Sequence, residues 1–333
     1  MTQTSVRRRA WRPVVVASGL LVAASLLSGS GAVAAPRPKP GPCVVSAGVT
    51  FSNRNLTVNG TSGADRIDCS GQRKGMTIIG NGGGDTIIGT AAADTIYADA
   101  AGTPSHSCDQ ANSGGASIDA GAGADVVYGS VCGTSGGLGA GNDRFTSGGG
   151  FVGISGDAGD DTIDARGAFP YPWATGWNVQ VSGGIGNDTI LFGNDLGGWG
   201  MGDEGNDHLV GGNVGDELDG GDGDDSLEGN AGNDVLNGGL GFDQMLAGDG
   251  DDILLDASSD NDIFDGGNND TTSPPLPRPE PGFSGAWGDV CIDKDGMGTA
   301  PGDPDGSGQV GAISGAQNDS LSGCEYLYVE PAL

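Results

Sequence analysis

Basic side chains are scarce in this sequence. The 333 residues include 14 Lys and Arg against 44 Asp and Glu, which gives a formal net charge of −30 at pH 7. No Lys or Arg occurs between Arg166 and Arg278. Because a nucleic-acid-binding surface needs clustered Lys and Arg to contact phosphates, the sequence excludes nucleic acid as a partner.

Residues and motifs that carry common enzyme chemistry are also scarce. The chain has 2 His, and neither His106 nor His208 lies in the HExxH pattern of a zinc protease. No phosphate-binding P-loop is present. The paired carboxylates of a polysaccharide-cleaving enzyme remain an alternative use for the many acidic residues. We expect that the protein is not an enzyme.

Large side chains that build a conventional core are few. Aromatic residues make up 5% of the chain, whereas 68 residues are Gly. Glycine buries no side chain and loses more backbone freedom on folding than any other residue. The large negative charge also opposes a compact state, because like charges repel. A folded form therefore needs something that neutralises the carboxylates.

The N-terminus has the pattern of an export signal. Arg7, Arg8, Arg9 and Arg12 precede an apolar run, and residues 32–34 supply the small side chains required for signal peptidase cleavage. We expect residues 1–34 to be a signal peptide, residues 35–50 a Pro-rich lead-in, and the mature protein to be secreted. The apolar run is shorter than the roughly 20 residues that span a bilayer, and no second run follows, so no membrane span is expected.

All 6 Cys lie after the export signal. An even number of Cys fits disulfide pairing in an oxidising compartment. Their order along the chain suggests three pairs, although other pairings remain open. The suggested pairs are Cys43–Cys69, Cys108–Cys132 and Cys291–Cys324.

The middle of the chain repeats every nine residues. Six consecutive nonapeptides run from 202 to 255: GDEGNDHLV, GGNVGDELD, GGDGDDSLE, GNAGNDVLN, GGLGFDQML and AGDGDDILL. Each has Asp in the sixth place and an apolar residue in the eighth. We expect degenerate repeats with an insertion at 51–110, a repeat region at 111–272 with its best repeats at 183–255, and a connector and cap at 273–333.

Every unit that has Asp in the sixth place, including the degenerate units upstream of 202, has an apolar residue in the eighth place. Polar residues in the seventh and ninth places flank this apolar residue and predict a strand of only three residues, in places seven to nine. The Gly-rich first six residues then form the turn. Two such turns and strands close a flattened coil, and coils stack as parallel strands. The sequence therefore predicts an all-β parallel β-roll or β-helix solenoid. Its eighth-place residues are Ile67, Ile87, Ile96, Val127, Phe145, Ile163, Ile190, Leu209, Leu218, Leu227, Leu236, Met245, Leu254 and Phe264.

Stacked coils place sixth-place carboxylates above one another. We expect Asp207 to lie over Asp225, and Asp216 over Asp234. Carboxylates at such a short separation repel each other, and a hard divalent cation between them removes the repulsion. Calcium suits this place because it accepts about six to eight oxygens, including backbone carbonyls, whereas zinc prefers N and S ligands and magnesium a strict octahedron. The sequence predicts several Ca²⁺ ions whose binding is coupled to folding.

These nonapeptides resemble the RTX, or haemolysin-type, calcium-binding repeat. The segment GGDGDDSLE at 220–228 matches the family pattern GGxGxDxUx. The resemblance implies a parallel β-roll in which carbonyls of the glycine turn and the sixth-place Asp bind calcium. Ala92 and Val214 depart from the pattern because they replace the fourth-place Gly. The implied ligands are Asp207, Asp216, Asp225, Asp234, Asp243, Asp252, Asp188, Asp161, Asp143, Asp125, Asp85 and Asp65.

Two stretches depart from the repeats. The segment FPYPWATGW at 169–177 concentrates aromatic side chains, which could stack on sugar rings or a partner, or could cover the roll. After a Pro-rich connector, the tail is expected to be a disulfide-closed cap, because an open roll end exposes unpaired backbone. We expect a secreted structural or adhesive module. The alternative is a polysaccharide-binding or polysaccharide-active protein, such as a lyase, epimerase or hydrolase.

Overall fold

A computed structural model describes residues 43–52, 56–101, 115–169, 179–256 and 262–267, with the backbone of 290–293, 320–322 and 326–329. All of these belong to one unit, Lys39–Leu333. Over these ranges the chain forms strands and turns, and none of it is helical. No helix in this part of the protein could therefore cross a membrane. The predicted signal peptide lies outside the described residues.

The strands form two sheets of 13 strands each. In order across the sheet, sheet 1 contains β1 (Val44–Val45), β4 (Arg66–Asp68), β6 (Thr86–Thr90), β8 (Ala116–Gly121), β10 (Thr134–Ala140), β12 (Val152–Ala158), β14 (Val179–Ile185), β16 (Gly198–Glu204), β18 (Glu217–Asp222), β20 (Val235–Leu240), β22 (Ile253–Asp256), β24 (Val290–Asp293) and β26 (Tyr326–Val329). Sheet 2 contains β2 (Thr50–Ser52), β3 (Thr57–Asn59), β5 (Thr77–Ile79), β7 (Thr95–Tyr97), β9 (Val126–Tyr128), β11 (Arg144–Thr146), β13 (Thr162–Asp164), β15 (Thr189–Leu191), β17 (His208–Val210), β19 (Ser226–Ala231), β21 (Gln244–Asp249), β23 (Ile263–Asp265) and β25 (Ser320–Ser322).

From β3 onward the chain alternates between the two sheets. One coil therefore consists of one strand from each sheet and the two turns that join them. Neighbouring coils pair in parallel, for example β17 with β19 and β19 with β21. The two antiparallel pairs in the described part, β1 with β4 and β2 with β3, lie at the N-terminal end. The predicted all-β parallel solenoid is confirmed.

The core is a stack of apolar side chains between the two sheets. Each of the eighth-place residues predicted above is at most 1% exposed. The register pairs Leu209 with Leu227, and Leu227 with Met245, so identical repeat places lie above each other. Each coil thus buries its eighth-place side chains against those of the next coil, which places every sixth-place Asp in a turn at the edge of the stack.

Many strands are longer than the sequence predicts. Strand β18 runs from place seven of one unit to place three of the next, and Gly221 pairs with Gly239 of the following coil. The prediction that all of places one to six form the turn was therefore wrong for places one to three. These places carry no alternating side chains, but because every coil repeats the same backbone path, their N–H and C=O groups still pair between coils.

The predicted disulfide between Cys43 and Cys69 is confirmed. Cys132 is also disulfide-bonded, but its predicted partner Cys108 lies outside the described residues. The predicted pair of Cys291 and Cys324 lies outside them as well, because only the backbone of β24 is described there. Strands β24, β25 and β26 extend both sheets, so the tail supplies further rungs of the stack.

Candidate metal centre

The sixth-place aspartates form two columns, one along each edge of the flattened coils. We call the turns that lead from sheet 1 to sheet 2 the first edge, and those that lead from sheet 2 to sheet 1 the second edge. All of these aspartates are at most 6% exposed. The first edge holds Asp94, Asp125, Asp143, Asp161, Asp188, Asp207, Asp225, Asp243 and Asp262. The second edge holds Asp65, Asp85, Asp216, Asp234 and Asp252.

One carboxylate oxygen of these aspartates links successive coils. Oδ1 of Asp225 accepts the backbone N–H of Asp207 at 2.7 Å, and Oδ1 of Asp234 accepts that of Asp216 at 2.7 Å. The expected stacking of Asp207 over Asp225 and of Asp216 over Asp234 is confirmed. The same bond recurs along the first edge from Asp94 to Asp262. The hydrogen bond between coils therefore occupies Oδ1 of these carboxylates. Their second oxygen, Oδ2, needs a different partner.

The second oxygen is buried without a hydrogen bond in many of the turns. Within the described residues, Oδ2 accepts no hydrogen bond in Asp125, Asp143, Asp161, Asp188, Asp207, Asp225 and Asp234. A buried polar atom without a partner costs free energy, and a repeated set of them indicates a missing ligand. These oxygens are suited to receive a cation.

Backbone carbonyls converge on the same places. A Cβ atom added to Gly229 would lie 2.5 Å from both Asp234 Oδ2 and the carbonyl oxygen of Ala247 in the next coil. On the first edge, a Cβ atom on Gly220 would collide in the same way with Asp225 Oδ2 and the Gly238 carbonyl oxygen. In these two turns, glycine in the first place leaves room for this approach of carboxylate and carbonyl oxygens.

Burial raises the pKa of these carboxyl groups. Desolvation is the largest cause, and the charge of neighbouring carboxylates adds to it, while backbone N–H donors partly oppose it. The pKa is raised to about 7 in Asp125, Asp161, Asp225 and Asp234. It is raised to about 6 in Asp188, Asp207, Asp216 and Asp252. The metal-free turns therefore hold either a proton or a costly buried charge near neutral pH.

The available donors fit calcium. In the described ranges no group of three or more His, Cys, Asp or Glu side chains is placed to hold a metal ion. A bound ion must therefore take backbone carbonyls in addition to carboxylates. Hard oxygen ligands of these two kinds suit Ca²⁺, and they do not suit zinc, which prefers N and S ligands. The buried Oδ2 atoms and neighbouring carbonyls could thus hold calcium in successive turns.

Sequence reasoning missed two members of the first edge. The backbone N–H of Asp94 donates to Asp125 Oδ1, and that of Asp243 donates to Asp262 Oδ1 at 2.7 Å. The signal was present, because Asp94 holds the sixth place of unit 89–97, two residues before Ile96, and Asp262 stands two residues before Phe264. The nine-residue frame that predicted the buried eighth-place residues would therefore also have identified these two carboxylates.

The aromatic segment predicted as a recognition or covering element lies mostly outside the described residues. Its first member, Phe169, is 41% exposed. A different aromatic pair, Tyr97 and Tyr128, holds the ninth place of two successive coils of sheet 2. Their rings stack with centroids 4.8 Å apart. This ninth-place pairing follows from the repeat register, although sequence analysis did not identify it.

Fold and site together define a class of protein: a parallel β-solenoid with carboxylates stacked in its glycine-rich turns. A family model described as the RTX calcium-binding nonapeptide repeat (four copies) matches residues 77–101, 110–131, 138–167, 201–236, 210–245 and 228–255. The chain therefore contains RTX calcium-binding repeats, and the predicted resemblance is confirmed. No curated protein matches the chain.

Proposed function

We propose that this protein is an exported calcium-binding solenoid whose folding is coupled to calcium in the extracellular medium. The observation that carries the proposal is the column of buried Oδ2 atoms without hydrogen-bond donors, on which backbone carbonyls converge at Asp225 and Asp234. The RTX repeats support a calcium-binding structural module in this part of the chain.

Coupling between calcium and folding follows from the electrostatics of the turns. The carboxylates of the first edge stack one per coil, with Asp207 contributing to the raised pKa of Asp225 by its charge. Ionised neighbours repel each other in the folded state and separate in the unfolded chain. A ligand that binds the folded state alone stabilises it by mass action. Calcium therefore stabilises the folded coil relative to the separated, unfolded turns.

Export is supported by the chemistry of the N-terminal coils. The Cys43–Cys69 disulfide suits an oxidising compartment outside the cytosol. Extracellular calcium modules work with dissociation constants of about 10⁻⁴ to 10⁻³ M. We propose that the protein folds when it reaches such a medium, and that it serves there as a structural or adhesive module. That it is not an enzyme remains a prediction.

The test is the calcium stoichiometry of the Asp143→Asn variant. An amide at this position can still accept the Asp125 N–H, which Asp143 Oδ1 accepts at 2.7 Å. It replaces the buried Oδ2 by a nitrogen that donates and cannot bind a cation. We expect isothermal titration calorimetry to show fewer bound calcium ions than in the unaltered mature protein, which is refolded in the same way.

The matched control is Asp119→Asn, which removes one negative charge from an exposed position of β8. This control is expected to keep the full calcium stoichiometry. An unaltered protein that binds no calcium would refute the proposed function. Equal stoichiometry in Asp143→Asn and Asp119→Asn would show that the first-edge carboxylate is not a ligand.

A further inference from the structure

The glycine-rich turns have two backbone conformations. In the first, which we call the open turn, the second-place residue has a left-handed backbone. The seven aspartates named above, whose Oδ2 has no hydrogen-bond donor within the described residues, lie in turns of this kind. Their second-place residues are Gly121 (φ 107), Gly139 (φ 101), Asp157 (φ 71), Gly184 (φ 109), Asp203 (φ 76), Gly221 (φ 109) and Asn230 (φ 73).

In the second conformation, which we call the closed turn, the second-place N–H donates to the aspartate of its own unit. Thr61 N–H donates to Asp65 Oδ2 at 2.6 Å, and the Thr61 hydroxyl donates to the same oxygen at 2.9 Å. Gly212 N–H donates to Asp216 Oδ2 at 2.6 Å.

The turn of unit 89–97 is closed in the same way, because Thr90 N–H donates to Asp94 Oδ2 at 2.5 Å. None of these second-place residues, Thr61, Thr90 and Gly212, is left-handed. The backbone of the turn thus decides whether Oδ2 meets an N–H donor or is left without one.

The sequence explains which turns close. An open turn also has a left-handed fourth place, such as Gly186 (φ 137) or Gly223 (φ 146). A β-carbon strongly disfavours that conformation, and a β-branched side chain disfavours it most. Ala92 and Val214 hold the fourth place of two closed turns, and Thr61 holds the second place of the third. Asn and Asp, which tolerate left-handed φ, are the non-glycine residues in the second place of open turns.

A closed turn needs no carboxylate. Thr134 is 2% exposed and occupies the sixth-place register on the second edge, and its hydroxyl accepts the N–H of Ser130, four residues earlier, at 2.8 Å. This is the bond that Gly212 makes to Asp216. A neutral oxygen therefore serves the closed turn as well as a charged one does, because the turn only needs an acceptor.

We propose that the closed turns of Asp65, Asp94 and Asp216 take no calcium through Oδ2, and that a left-handed second place is what makes a turn calcium-competent. The proposal deepens the proposed function and depends on it. In Asp216 both oxygens already accept buried N–H groups, from Gly198 and Gly212 at 2.6 Å each. A cation at Asp216 Oδ2 would have to displace an N–H donor, whereas at Asp234 Oδ2 it displaces none.

The first test opens a closed turn. Val214→Gly restores a fourth place that can become left-handed next to Gly212, which already permits that conformation. We expect calorimetry to show about one more calcium ion bound than in the unaltered protein. Val214→Ala is the matched control, because it also shortens the side chain but keeps the β-carbon, and it should bind the unaltered number. Adding Asp216→Asn to Val214→Gly should remove the extra ion.

The second test closes an open turn. Asn230→Thr and Asn230→Gly both remove the side-chain bond to the Gly211 carbonyl, which is 3.0 Å long. Only threonine disfavours a left-handed backbone, so Asn230→Thr should lose about one ion while Asn230→Gly keeps it.

Two results overturn this inference. One is equal stoichiometry in Val214→Gly and Val214→Ala, and the other is equal stoichiometry in Asn230→Thr and Asn230→Gly. Circular dichroism in saturating calcium establishes that each variant folds. An unaltered protein that binds no calcium instead refutes the proposed function, so the two failures are distinguishable.

Discussion

At the residue scale, the two oxygens of a sixth-place aspartate have separate roles. Oδ1 of Asp225 holds the preceding coil through its backbone N–H, and Oδ2 is left for a cation. The period of nine located these aspartates, because the sixth place is fixed by the apolar eighth. It could not distinguish Asp216 from Asp234, since both hold the same place. The difference lies in the backbone of the residues before them, for which Val214 was the one visible sign.

The raised pKa values predict how the metal-free protein responds to pH. A carboxyl group such as Asp161, whose pKa rises from 3.8 to about 7 on folding, favours the folded state when protonated. Its stabilising contribution is complete below the unfolded pKa and is lost as pH rises through the folded pKa. We expect the chelator-treated protein to show more β-sheet signal by circular dichroism at pH 5 than at pH 8, where the carboxyl groups are ionised and the coils separate.

Calcium should reverse this dependence, because its ligands must be deprotonated. Thermal melts followed by circular dichroism at the two pH values, with and without calcium, measure both effects. A metal-free protein with more β-sheet signal at pH 8 than at pH 5 would show that the buried aspartates do not carry the raised pKa values.

At the element scale, the coils are also joined by a ladder that involves no metal. The fifth-place side chains of the first edge accept N–H groups from the next coil, as Asn187 does from Asn206 at 2.8 Å and Asn206 does from Asp224 at 3.1 Å. Sequence patterning did not predict these contacts or the longer strands. The alternation of apolar and polar side chains indicates which face of a strand each residue occupies. It gives no such indication where the residues are glycine or lie in an exposed turn.

This ladder predicts a variant that loses stability and keeps its calcium. Asn206→Ala removes the oxygen that accepts the Asp224 N–H, so we expect the free energy of unfolding in saturating calcium to fall by about 0.5–1.5 kcal/mol. Calcium stoichiometry should not change, because the Asp207 carboxylate is untouched. Asn206→Asp, which keeps an acceptor oxygen, is the control. Denaturant unfolding with a parallel calcium titration gives both quantities, and a loss of bound calcium in Asn206→Ala would contradict the separation of the two ladders.

At the scale of the whole molecule, the described part of a chain with a net charge of −30 forms two sheets with a column of apolar side chains between them. The fold could be predicted because one apolar residue in nine repeats along most of the chain. The distinction between open and closed turns was not predicted, because it depends on the backbone conformation of the second place, and Ala92 and Val214 in the fourth place were its visible signs. The apolar repeat that stacks the coils and the open turns that leave Oδ2 without a donor support one claim. The claim is that cations between successive turns hold the coils together.

The most direct test of this claim uses residues 35–333, which lack the predicted signal peptide, at pH 8. Its far-ultraviolet circular dichroism and thermal melt are recorded with excess chelator, and again after calcium or magnesium is restored. We predict that the chelated protein loses its β-sheet spectrum and cooperative melt, and that calcium restores both while magnesium does not. A chelated protein that keeps the full spectrum and the same melting temperature would contradict the account.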